Sequence, residues 1–145
     1  MKVSDNFHAE EFISRADYAY LTGRGLNPKW YINSDVVNFC EWLKAHFNDA
    51  KVTINDWKWG GQYKESGLRT SYGSSFSQHK FQKAVDVKVE GYTPAEIREA
   101  LVNNFAFISK AYNFSTMEKL EYTPTWNHCD FRETGLDYML EVNGK

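Results

Sequence analysis

Three residues of this sequence have the side chains of a hydrolytic metal site: His79, Asp86 and His128. Zinc in a hydrolase usually takes three nitrogen or oxygen side-chain ligands and leaves its fourth position to water, which then becomes acidic enough to attack near neutral pH. The chain contains 4 histidines, so a histidine near an aspartate is weak evidence on its own. The elements that carry these residues therefore decide whether they can meet.

Residues 84–89 have the alternation of a half-buried strand. The valines at positions 85, 87 and 89 share one face, so Asp86 projects from the other face. In residues 126–132, His128 and Asp130 share one face of a second predicted strand with Trp126 and Arg132.

If these two strands pair, Asp86 and His128 lie side by side on one sheet face. The loop that enters the first strand then delivers His79 to the same place. Spacing alone leaves the alternative open, namely two amphipathic strands whose polar faces are simply solvated.

The motifs around these residues resemble those of the zinc D-alanyl-D-alanine carboxypeptidase family, which includes phage endolysins that cut the peptide stems of bacterial cell walls. That family carries S-x-H, then A-x-D with six residues between histidine and aspartate, and later W/F-x-H. The matching residues here are Ser77 and His79, Ala84 and Asp86, and Trp126 and His128. The chain also matches an upstream S-G-x-R at residues 66–69, the H-x-D-x-R extension of one branch at residues 128–132, and that branch's N-terminal lead-in at residues 6–12.

This resemblance implies an α+β, hedgehog/DD-peptidase-like fold: a small, mainly antiparallel sheet carries one Zn²⁺ site, and helices pack on its other face. It implies that His79, Asp86 and His128 are the zinc ligands and that Ser77 helps to hold the substrate. Arg69 would stabilise the oxyanion that develops on the scissile carbonyl; the alternative role for Arg69 is a structural salt bridge.

The general base departs from the family pattern. Many members have a glutamate three residues before the last ligand, where this chain has Thr125. Hydrolysis still requires a group that moves a proton from water to the leaving amine. Glu121 is the first candidate, because Pro124 breaks any regular element and residues 122–125 could form a turn that returns Glu121 to the metal. Asp130 is the second candidate; its alternative role is to accept a hydrogen bond that orients a ligand histidine. Glu118 is the third candidate.

Composition is consistent with one folded domain over residues 1–145. The 145-residue length suits a single core, and a hydrophobic content of 42% with 17% aromatic residues argues against disorder. A formal charge of -2 gives no reason to expect a nucleic-acid partner, and no segment has the apolar length of a membrane span. We expect a monomer, and we expect buried thiols at Cys40 and Cys129, although a disulfide stays open.

Two helices are predicted to cover the apolar face of the sheet. One begins with Ser34 as its N-cap and continues to about residue 48. The other opens with the capping box of Thr93 and Glu96 and continues through Leu101 towards Phe105. The turn-rich region after the first helix contains three aromatic residues that are candidates for a substrate groove: Trp57, Trp59 and Tyr72. For Trp57 and Trp59, the alternative is packing at the edge of the core. Trp126 is a further candidate for the cleft wall, or else a packing residue.

The function expected from these features is zinc-dependent hydrolysis of amide bonds in peptidoglycan stem peptides. The bond is of the D-Ala-D-Ala carboxypeptidase type or the L-Ala-D-Glu endopeptidase type. The N-terminus has no charged head followed by an apolar run. We therefore expect synthesis in the cytoplasm without a signal peptide, and action on the wall after release or from a virion. The alternative is an inactive, metal-stabilised wall-binding or virion structural module.

Overall fold

The computed structural model of this protein describes residues 1–71 and 73–144. Within those residues the fold is α+β, with five helices and a five-stranded sheet. The helices are α1 (Ala9–Phe12), α2 (Arg15–Gly23), α3 (Ser34–His46), α4 (Pro94–Asn103) and α5 (Phe105–Tyr112). The strands are β1 (Val52–Thr53), β2 (Ala84–Val89), β3 (Thr116–Glu118), β4 (Asn127–Asp130) and β5 (Leu140–Val142).

The sheet has the strand order β1-β2-β4-β3-β5. Its neighbouring strands pair antiparallel except β3 and β5, which are parallel. The expected sheet is therefore confirmed as mainly antiparallel, and it is mixed because of this last pair. The predicted pairing of the two motif strands is also confirmed, since β2 and β4 are neighbours with Asp86 opposite His128.

The core lies between the helices and the face of the sheet opposite Asp86 and His128. The valine face of β2 is buried there, as the alternation predicts. The other members of this core include Phe39, Cys40 and Leu43 of α3, Ile97 and Leu101 of α4, Ile108 of α5, and Phe114, Met117, Cys129 and Phe131. Each large side chain buried in this way stabilises the fold by about 1.5–3 kcal/mol. Cys40 and Cys129 are free, buried thiols, as expected.

Local capping explains where the two predicted helices begin and end. Helix α3 starts at Ser34, but its N-cap is Asn33, whose side chain accepts a hydrogen bond from the backbone N–H of Asp35 at 2.9 Å. The predicted cap at Ser34 is thus wrong by one residue. Helix α4 has the predicted Thr93 capping box and ends at Asn103, and a separate helix follows from residue 105.

None of the helices in the described part of the chain combines the length and the apolar character that crossing a membrane requires.

Candidate metal centre

Three elements bring His79, Asp86 and His128 together. Asp86 and His128 are cross-strand partners on β2 and β4. His79 lies in the 3₁₀ turn Gln78–Phe81, which leads directly into β2. One potential ligand atom from each residue lies within 4.8 Å of the other two. The structure therefore places the three predicted ligands in a group that could hold a metal ion.

His79 presents a free ring nitrogen to this group. Its Nδ1 lies 3.0 Å from the backbone oxygen of Gly67. A carbonyl oxygen only accepts hydrogen bonds, so Nδ1 carries a proton and Nε2 is the ring nitrogen that can bind a cation. The Nε2 atom is buried, has no hydrogen-bond partner among the described residues, and lies 3.3 Å from Asp86 Oδ1. A buried nitrogen without a donor is costly unless another group, such as a cation, occupies the space beside it.

Gly67 holds His79 through a close approach of two backbone segments. Leu68 N donates to Phe12 O at 2.7 Å, and a Cβ atom at Gly67 would lie only 2.3 Å from that same oxygen. Only glycine fits this position without moving the backbone. The S-G-x-R motif thus has a structural reason for its glycine, whose carbonyl orients His79.

His128 lies between two carboxylates. Its Nδ1 is 3.0 Å from Asp86 Oδ1 and its Nε2 is 3.1 Å from Asp130 Oδ2. Burial disfavours the charged imidazole, but the hydrogen bonds to Asp130 and Asp86 outweigh burial and raise the pKa of His128 to about 9. In the metal-free protein at neutral pH, both ring nitrogens therefore donate. A metal on the Asp86 side would replace the Nδ1 proton, while the Nε2 proton stays with Asp130.

Asp130 is fully buried behind His128. Arg132 donates to it from Nε at 2.8 Å and from Nη2 at 2.6 Å. Burial opposes ionisation, but His128 and Arg132 lower the pKa of Asp130 below its ordinary value. Asp130 is therefore an ionised acceptor on the far side of the imidazole from Asp86. This geometry fits its alternative role of orienting a ligand better than the predicted role of base.

Asp86 lies between the two histidines of the group, with its Oδ1 near a ring nitrogen of each. Burial would raise its pKa, but the adjacent imidazoles of His128 and His79 hold it well below its usual range. Arg69 approaches the other oxygen, with Nη1 3.9 Å from Asp86 Oδ2. Tetrahedral ligands at 2.0–2.2 Å from an ion lie about 3.4 Å apart. The distances from Asp86 Oδ1 to the two histidine nitrogens, 3.0 and 3.3 Å, are close to that spacing.

A cleft of about 810 Å³ opens beside the group. Three of the residues predicted to contact substrate line it: Arg69, Ser77 and Trp126. The cleft is also lined by Gly73, Ser74, Phe76, Gln78, Asp86, Glu118, Tyr122, His128, Arg132, Val142, Asn143 and Gly144. The ligand group is therefore accessible to a molecule bound in this cleft.

Glu121, the first candidate for the base, does not line this cleft. Residues 120–122 form a 3₁₀ turn in which Tyr122 lines the metal cleft, whereas Glu121 is exposed and borders a separate depression with Thr93 and Pro94. The stretch 122–125, predicted to turn Glu121 back towards the candidate metal group, thus leaves Glu121 at this separate depression. Glu118, the third candidate, lies in the cleft.

Two of the predicted groove aromatics, Trp57 and Trp59, lie outside the metal cleft. Trp57 donates from Nε1 to the backbone oxygen of Ile13 at 3.1 Å, and Trp59 contacts His8. Neither lines the metal cleft, and Trp57 follows the alternative of packing at the edge of the core. Tyr72 lies outside the described residues.

Sequence patterns give no signal for part of the cleft lining. That part contains Tyr122, Val142 at the end of the short strand β5, and the two residues that follow it, Asn143 and Gly144. The S-G-x-R motif marked Gly67, but it gave no indication that the glycine's carbonyl supports His79.

No protein-family model, curated protein or solved structure matches this chain. The functional interpretation consequently depends on the residues of the site and on their geometry.

Proposed function

We propose that this protein is a zinc-dependent peptidase that hydrolyses amide bonds in the stem peptides of peptidoglycan. The observation that carries the proposal is the convergence of His79, Asp86 and His128, within 4.8 Å of one another, beside an open cleft. Three side-chain ligands with access for a further ligand are typical of catalytic metal sites, whereas structural sites are usually closed by four protein ligands.

The donor set supports zinc as the ion. Two imidazole nitrogens and one carboxylate oxygen form a ligand set used by hydrolytic zinc sites, whereas magnesium and calcium prefer oxygen ligands throughout. A bound zinc ion would supply a Lewis acid and would lower the pKa of water towards neutrality. Gly67 and Asp130 each hold a proton on the ring nitrogen that faces away from the group, so the other nitrogens point at one position.

The residues around this position suit the binding of a peptide carbonyl. The guanidinium of Arg69 is largely buried, and its Nη1 donates to the backbone oxygen of Glu65. An arginine fixed in this way can stabilise negative charge on a reacting carbonyl without reorganising. Ser77 offers a hydroxyl in the same cleft, and Trp126 offers an apolar surface for the substrate.

The resemblance to zinc D-alanyl-D-alanine carboxypeptidases supplies the substrate class and the fold type. We extend the proposal accordingly to a hedgehog/DD-peptidase-like fold and to a phage-type lytic enzyme. It acts as a monomer on the cell wall after release, or as part of a virion. The scissile bond is D-Ala-D-Ala or L-Ala-D-Glu.

Digestion of purified peptidoglycan tests this function. The zinc-loaded protein should release fragments whose masses show hydrolysis of one stem-peptide amide. A His128→Ala variant should lose both bound zinc and cleavage, whereas His46→Ala, an exposed position at the end of α3, should keep both. Cleavage that persists in the His128→Ala variant, or a parent protein that binds no metal, would overturn the proposal.

A second function, a metal-stabilised wall-binding or virion structural module without catalysis, is favoured by one observation. Thr125 occupies the position where many relatives of the resembled family have the catalytic glutamate, and it is exposed. Sedimentation of the zinc-loaded protein with intact peptidoglycan, without release of any fragment, would support this module instead of the peptidase.

A further inference from the structure

Glu118 is, apart from Asp86, the acidic residue of the metal cleft among the described residues. It ends β3, in which Thr116 and Met117 lie opposite Asp130 and Cys129 of β4. Extending that antiparallel register by one residue past Met117 and Cys129 places Glu118 beside His128. Alternate residues of a strand share a face, so Glu118 shares the sheet face of the metal ligands.

The backbone around Glu118 is tightly held. Arg98 of α4 donates from Nη1 to the backbone oxygen of Glu118 at 3.0 Å. On the other side, the chain after β5 passes close to the glutamate side chain. A Cβ atom at Gly144 would lie 3.2 Å from Glu118 Oε2 and 2.7 Å from Tyr122 Cβ. The glycine thus lets this segment form the rim of the cleft directly beside the carboxylate.

Cross-strand geometry brings the candidate metal position within the reach of a glutamate side chain at position 118. Cross-strand neighbours on one face have Cβ atoms about 4.5–5.5 Å apart. From such a position, a glutamate carboxylate on two flexible methylene groups can extend over the histidine that binds the ion. The half-buried state of Glu118 leaves this movement open to it.

The other acidic candidates are not positioned for proton transfer. Asp130 is fully buried, and its oxygens accept from Arg132 and face His128. Glu121 is exposed beside a different depression. Proton transfer requires a group within hydrogen-bond reach of the reacting atoms, directly or through one water.

We propose that Glu118 is the acid–base residue of the peptidase, supplied from β3 in place of the family's glutamate three residues before the last ligand. This inference rests on the proposed function. Glu118 accepts a proton from the attacking water as the water oxygen bonds to the carbonyl carbon. It returns that proton to the amide nitrogen as the C–N bond breaks, so the products are a carboxylic acid and an amine, and the glutamate is regenerated.

The test compares Glu118→Gln and Glu118→Asp with the parent protein. The substrate is a purified disaccharide pentapeptide, which contains both candidate bonds. Cleavage is followed by mass spectrometry, zinc content by elemental analysis, and substrate binding by calorimetry. Removing the carboxylate should lower kcat by about 100-fold or more while zinc content and substrate affinity stay at parental values. Shortening the side chain in Glu118→Asp should give an intermediate loss.

The matched control is Glu99→Gln, an identical change at an exposed position of α4 that does not line the cleft. It should retain the parental kcat. A Glu118→Gln variant that cleaves at the parental rate would overturn the role of Glu118 alone. Loss of zinc from that variant would also overturn it, because Glu118 would then be a ligand. Absence of cleavage by the zinc-loaded parent would overturn the proposed function, and the role of Glu118 with it.

Discussion

The carboxylate of Asp130 should control how tightly the site binds metal, although it lies on the far side of the histidine. It accepts two hydrogen bonds from the side chain of Arg132, at 2.8 and 2.6 Å, and one from His128 Nε2 at 3.1 Å. An Asp130→Asn substitution keeps the shape but leaves one acceptor oxygen and one donor NH₂ group. If the oxygen stays with Arg132, the NH₂ group faces His128 Nε2.

That arrangement forces His128 into the wrong tautomer. Nε2 must then accept a hydrogen bond, so the ring proton moves to Nδ1, the nitrogen that faces Asp86. Losing an outer partner of this kind typically lowers metal affinity by about 10–100-fold, or about 1.4–2.7 kcal/mol of binding free energy. The effect should therefore be large, although Asp130 itself binds no metal.

Competition between the protein and a chromogenic zinc chelator at neutral pH measures this affinity. Circular dichroism of each variant checks that the fold is retained. An Asp137→Asn variant, which makes the same chemical change at an exposed position, should bind zinc like the parent. Parental zinc affinity in a folded Asp130→Asn variant would refute the tautomer assigned to His128.

Three further predictions concern stability. In the metal-free protein, the raised pKa of His128 contributes stability that is fully present below pH 6.5 and is lost as the pH rises through about 9. The melting temperature should therefore fall over this range, and a constant value would contradict the prediction. Bound zinc should remove the fall, because it replaces the Nδ1 proton. Gly67→Ala should lower both the melting temperature and the zinc affinity, because its Cβ would lie 2.3 Å from Phe12 O and displace the carbonyl that holds His79; parental values in both measurements would argue against this support. Leu43→Ala should lower the free energy of unfolding in urea by about 2–5 kcal/mol, since Leu43 is fully buried, whereas a smaller loss would indicate a core that collapses around the cavity.

Strong local patterns made part of the site predictable. Strand β2 has six residues with alternating valines, and this alternation fixed the direction of Asp86. Its pairing with β4 was a hypothesis that spacing alone left open, and the structure confirms it. Helix α4 was equally clear, because the Thr93 capping box and the following proline mark its start.

The remaining parts depend on contacts that sequence patterns do not encode. Strands β3 and β5 have three residues each, too few to show a period, and their parallel pairing joins distant segments. The sequence therefore gives little indication that Glu118 lies beside β4, whereas it shows directly that Glu121 is close to Pro124. The orientation of Glu121 depends on a single 3₁₀ turn. In this turn Tyr122 lines the metal cleft, whereas Glu121 borders the separate depression.

The metal site itself is tested most directly by anomalous diffraction at the zinc edge from crystals grown with zinc. We predict one strong peak per chain, about 2.0–2.2 Å from His79 Nε2, Asp86 Oδ1 and His128 Nδ1. Absence of a peak at this position, or a peak held by other residues, would contradict the assignment of these three residues as a metal site.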